Sequence, residues 1–204
     1  MNFRLGISSA LLALIISSPV AAHPVTYVGT LSNLGEPAPA NLSVGTGQAT
    51  VIFDDDAFTL RVMATFSNLT GNTTNSHIHC CTSVAGAGSA GVATPVPTFP
   101  GFPSGVKAGS YDQTFDLTQA SSWNQAFINA NGGSINSAFA AFSTGLAAGK
   151  AYLNIHTSFV GGGEIRTFLT PEPVPLPASV VMMMSGLVGF GAVVRRRRVA
   201  AAQA

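Results

Sequence analysis

Along residues 58–66 the chain reads FTLRVMATF, with Phe58, Leu60, Val62, Ala64 and Phe66 alternating with Thr59, Arg61, Met63 and Thr65. A strict period of two over nine positions predicts a strand with one buried face. TYVGTL at 26–31 and GQATVIF at 47–53 predict earlier strands, with DDD at 54–56 as a tight turn into the long one. Residues 86–105 are dense in proline and glycine, which excludes regular structure and predicts a long surface loop. YDQTFDL at 111–117 resumes a strand. The period then changes: Trp123, Phe127, Ile135, Phe139, Phe142 and Leu146 fall three or four apart, or in multiples of that spacing. This is the pattern of helices laid against a sheet. KAYLNIHT at 150–157 and GEIRTFL at 163–169 predict a closing hairpin around a glycine-rich turn.

The two ends follow different rules. Residues 1–22 begin with Arg4, run through the apolar stretch SSALLALIISS and end in PVAA, the pattern of a signal peptide cut by signal peptidase after Ala22. At the other end, Ala178 to Val194 is an apolar run of 17 residues followed by Arg195 to Arg198. A helix of that length spans roughly 26 Å, at the short edge of a membrane span, with the arginines on the cytoplasmic side. Without both ends, four basic residues (Arg61, Lys107, Lys150, Arg166) stand against seven acidic ones between residues 23 and 170. A net charge of about −3 leaves no basic footprint for nucleic acid. The roughly 150 residues between the ends suit a single domain.

The chemistry concentrates in NSHIHCC at 75–81, which holds two of the four histidines and both cysteines. Residues two apart in a strand share a face, so His77 and His79 point one way and Ile78 the other. In the penultimate strand Leu153 and Ile155 take the apolar face, leaving Tyr152, Asn154 and His156 opposite; in the last, Glu164 and Arg166 oppose Ile165 and Leu169. His77, His79, His156 and Glu164 are therefore expected on one polar face, a legitimate set of ligands for zinc or copper. Alternating histidines on a solvent-facing edge also stand without metal, bonded to a carboxylate or a backbone carbonyl. No activated serine or cysteine and no second carboxylate accompanies them. Cys80 and Cys81 either bridge each other or remain free thiols, and no CxxC spacing marks a redox centre.

The tail Pro171, Glu172, Pro173, Val174, Pro175, Leu176, Pro177 and Ala178, with the apolar run and arginines after it, resembles the PEP-CTERM sorting signal in its VPLPA variant. That resemblance implies an exported protein recognised by an exosortase-type sorting protease, passing through a membrane-anchored stage by its C-terminal helix to the cell surface or the extracellular space.

Across residues 25–169, the order YVGTLSNLGEPAPANLSVGTGQATVIFDDDAFTLRVMATFSNLTG, SHIHC, YDQTFDLT, AGKAYLNIHT and GGGEIRTFL resembles the CHRD domain, named for its occurrence in chordin. His77, His79, Asn154, His156, Glu164 and Arg166 match the family's recurrent polar positions, while Cys80 and Cys81 stand where the family usually has glycine and proline. The resemblance implies an all-β, antiparallel immunoglobulin-like or superoxide-dismutase-like β-sandwich, here with a short helical insertion and one C-terminal hydrophobic helix. It implies a noncatalytic, cofactor-free structural or binding module for an unknown extracellular ligand or matrix component. The alternative is a histidine-based zinc or copper metalloprotein with dismutase-like chemistry. A two-metal dismutase site needs about six histidines and an aspartate, against His23 and these three here.

Overall fold

The computed structural model describes residues 24–36 and 42–173. The alternating segments form strands β1 (Val25–Ser32), β2 (Thr46–Asp54), β3 (Thr59–Ser67), β4 (Thr73–His79), β5 (Gly109–Asp116), β6 (Tyr152–Thr157), β7 (Ile165–Phe168) and the short β8 (Thr170–Pro171). Where the period lengthens, a turn of 3-10 helix at Ala120–Ser122 leads into α1 (Gln125–Ala130) and α2 (Ile135–Ala147). Asn124 caps α1 through the amide of Ala126, and Ser134 with Ser137 forms a capping box on α2.

All strands belong to one sheet in the order β4-β6-β7-β1-β2-β3-β5, with β8 also pairing with β1. Every pairing is antiparallel. This corrects the expectation of two facing sheets. β1 is the link: Ser32 pairs with Arg166 of β7 while the whole strand pairs with β2, so the would-be layers are two halves of one curled sheet. Ala49, Val51 and Phe53 of β2, Leu60 and Val62 of β3, Ile78 of β4, and Leu153 and Ile155 of β6 all join one buried core. Alternation along a strand reports which face is buried, and that is the same in a sandwich and in a single curled sheet.

The helices fill one opening of the curl. Trp123, Phe127 and Phe142 contact each other, and Phe139 stacks on Phe53 with ring centroids 5.4 Å apart. The segment between β4 and β5 is irregular, as its composition demands, but it is not merely a surface loop. It runs along the free edge of β4, where Ala93 N donates to Ile78 O and Phe99 N donates to Ser76 O. Phe99 is fully buried and packs on Phe115. The edge is thereby covered rather than left as an open template.

The expected helix Ala178 to Val194, with the sorting motif from Val174 onward and the leader Met1 to Ala22, lies outside the described residues. Among the described residues no helix is long and apolar enough to cross a membrane; the longest, α2, has 13 residues. The expected transmembrane helix, the membrane partnership and the inner-membrane stage of localisation all rest on residues outside the described ones, and none of the described helices supplies a span in its place.

Candidate metal centre

β4 and β6 pair so that Ser76 and Ile78 oppose Ile155 and Leu153 on the core face, while Asn75, His77 and His79 oppose His156, Asn154 and Tyr152 on the outer face. The parity expected from the sequence holds, and it brings the three histidines together. His77 Nδ1 lies 3.3 Å from His156 Nε2, and His79 Nε2 lies 3.5 Å from the same atom. One nitrogen from each ring falls within 4.8 Å of the others.

This face is roofed. His77, His79 and His156 are 4%, 8% and 6% exposed, which excludes the solvent-facing edge considered from the sequence. The chain between β4 and β5 and the turn between β6 and β7 supply the roof, and each contributes backbone carbonyls. His77 Nε2 lies 2.7 Å from Pro97 O, His79 Nδ1 lies 2.9 Å from Ala90 O, and His156 Nδ1 lies 2.9 Å from Gly161 O. A carbonyl only accepts, so each of these nitrogens carries the proton. In the neutral ring the other nitrogen is then a bare lone pair. Those lone pairs are the three nitrogens that face each other, so the short N···N contacts are not hydrogen bonds.

The rings are held neutral. Burial pushes His77 and His79 down from 6.5 to about 4, opposed by the bonds to Pro97 and Ala90. Burial lowers His156 as well. Three converging lone pairs without a donor are unfavourable unless an electron-pair acceptor sits among them. In a tetrahedral shell with metal–nitrogen bonds of about 2.0–2.1 Å, ligand nitrogens stand roughly 3.3 Å apart, close to the two contacts seen here. Histidine ligands to metals almost always donate their remote N–H to a carbonyl or carboxylate, and all three do so here. The donor set fits zinc or copper, which corrects the expectation of a cofactor-free, noncatalytic module.

Glu164 does not join this cluster. It sits in a bend just before β7, outside the ladder, so strand parity does not govern its direction. Its carboxylate, fully buried, accepts from Ser43 Oγ, Thr157 Oγ1 and the amides of Thr70 and Gly71. Burial pushes this carboxyl up, but those four bonds outweigh it and hold it below the ordinary value. It ties Ser43 and the 70–71 bend to the end of β6 at Thr157.

Asn154 stands between His77 and Arg166 across the strands. Its amide fills the space beside Gly163, where a Cβ would fall 2.3 Å from Nδ2, and reaches toward Gly162 O at 3.4 Å. It supports the turn whose Gly161 carbonyl orients His156. Cys80 and Cys81 form a disulfide with each other. Their sulfurs face α2 and not the histidines: a Cβ on Gly145 would lie 2.3 Å from both. The carbonyls of Ala90, Pro97 and Gly161 had no signal in the sequence, because any residue offers one.

Residues 27–169 match the CHRD domain. The chain belongs to the CHRD domain family. No curated protein and no solved structure shows significant similarity to it.

Proposed function

We propose that this protein is an exported CHRD-domain metalloprotein in which His77, His79 and His156 hold a single zinc or copper ion. The carrying observation is the forced tautomer of all three rings: each remote nitrogen is bonded to a backbone carbonyl, so three lone pairs converge in a buried pocket. Three imidazoles leave at least one coordination position for water or substrate, so bound zinc would supply Lewis acidity and bound copper one-electron chemistry. Asn154 and the 158–163 turn fix His156, and the 90–97 segment fixes His77 and His79. The export reading rests on the signal-peptide pattern of Met1 to Ala22 and the motif Pro171 to Ala178, which flank a domain at 25–169.

Elemental analysis of the protein purified without a histidine tag tests the proposal. About one equivalent of copper or zinc per chain is expected, falling to background in the His77→Ala/His79→Ala variant. Absence of any stoichiometric metal after incubation with either ion would overturn it.

A further inference from the structure

The outer face of the sheet carries a second polar feature beyond the histidines. A cavity of about 330 Å³ lies where β1 and β7 meet the 86–88 turn, with Thr30, Ser32, Gly35, Ala87, Arg166 and Phe168 in its wall. The Arg166 side chain is only 8% exposed. Its planar face is covered, with the guanidinium carbon 4.9 Å from the Tyr152 ring centroid and 5.6 Å from that of Phe168. What remains for hydrogen bonding is the edge of the fork, whose Nε is itself buried.

That edge is incompletely used. Nη1 donates to Gly88 O at 3.1 Å, but Nε has no hydrogen-bond partner among the described residues. The neighbouring Glu36 carboxylate lies 3.8 Å away, beyond hydrogen-bond reach, and its Oε1 is equally unpartnered. A buried cation with a loose counter-ion is costly, and a planar two-oxygen acceptor is the group that a guanidinium edge matches. Ser32, paired with Arg166 across the strands, accepts from the amide of Leu34, which leaves its own O–H free to donate. The half-buried Phe168 ring and the exposed Leu34 side chain form an apolar flank. Among the described residues Arg166 is the only cation in this wall, and Glu36 offsets part of its charge, so the site suits one negative charge and not a phosphate dianion.

We propose that this cavity binds a small organic carboxylate, with the carboxylate on the edge of Arg166 and the hydroxyl of Ser32 and the body of the ligand against Phe168. Glu36 is the internal competitor for the same guanidinium. The site needs no metal, so it is tested on the metal-free protein and stands or falls independently of the histidine centre.

The test is a titration of metal-free protein with acetate, benzoate and glucuronate against acetamide, benzamide and glucose, followed by amide nuclear magnetic resonance at residues 30–35 and 86–88. Saturable shifts are expected with the carboxylates, and binding at least about tenfold weaker for the neutral probes, the scale of one charge-assisted bond. Arg166→Gln should abolish the shifts, and Glu36→Gln should strengthen binding severalfold. Ala87→Leu, at an exposed position in the wall, should block the cavity with Arg166 in place, and it decides the matter if Arg166→Gln does not fold. Glucuronate tighter than benzoate would identify an acidic sugar as the occupant; the reverse order would identify a free apolar acid. Equal response to charged and neutral probes, no saturable response, or undiminished binding in Ala87→Leu would overturn the proposal.

Discussion

His79 and Tyr152 lie ring on ring, with centroids 4.7 Å apart and planes 2° from parallel. They are cross-strand partners on the outer face, and the Tyr152 hydroxyl accepts from Ala90 N at 3.3 Å and lies 3.4 Å from Ala90 O. Ala90 O is the atom that takes the His79 N–H. Tyr152 therefore fixes both the plane of the imidazole and the carbonyl that sets its tautomer. Tyr152→Leu should weaken metal binding by about tenfold or more, the usual effect of removing a group that orients a ligand. Tyr152→Phe keeps the stack and should lose less. Competition titration against a chromophoric chelator measures both; unchanged affinity in Tyr152→Leu would remove this residue from the account.

Acid should destabilise the metal-free protein. His77 and His79 drop from 6.5 to about 4 on folding, chiefly by burial, so between those values the unfolded chain binds more protons. Stability therefore rises with pH across that window and is lost as pH falls through it. Glu36 acts in the opposite sense: burial pushes it from 4.5 up to about 7, against the pull of Arg166, so its share declines as pH rises from 4.5 to 7. The histidines, with His156 lowered too, outweigh one carboxyl. Denaturant midpoints should fall on acidification from pH 6.5 towards 4, more steeply in Glu36→Gln. A midpoint that is flat or rises on acidification would contradict this.

Glu164 should matter to the fold and not to the metal. Glu164→Ala leaves two hydroxyls and two amides without their acceptor, and a cost of about 3 kcal/mol or more is expected. Glu164→Gln should cost less, and both variants should retain full metal stoichiometry wherever they fold. Loss of metal from folded Glu164→Gln would return this residue to the site.

What the sequence made legible was local. Period two in β3 and β6 marked the strands and their faces, and the HIH and NIH spacings predict three histidines on one face provided that β4 lies beside β6, a pairing that the spacings do not encode. The shift to period three and four marked α1 and α2. Three things were not legible. The continuity of β7, β1 and β2 depends on hydrogen bonds that alternation does not encode. Glu164 departs from strand parity because the bend before β7 takes it out of the ladder. The roof over the histidines consists of backbone carbonyls from a proline- and glycine-rich segment, whose composition declares irregularity but not where it packs.

Gly145 records the closeness of α2 to the disulfide. A methyl group there would meet the sulfurs of Cys80 and Cys81 at 2.3 Å each, so the helix or the disulfide must shift to admit it. Gly145→Ala should destabilise the protein by about 1–3 kcal/mol, the range for overpacked sites, despite alanine's better helix propensity. Chemical denaturation of oxidised protein checks it; a stabilised variant would show that the helix has slack over the disulfide.

The central claim is that His77, His79 and His156 form one metal centre, and X-ray absorption at the metal edge of copper- or zinc-loaded, tag-free protein tests it most directly. The account predicts three imidazole nitrogens at about 2.0–2.1 Å, a remaining light-atom ligand and no sulfur. One or no imidazole in the shell, or a sulfur ligand from Cys80 or Cys81, would contradict it.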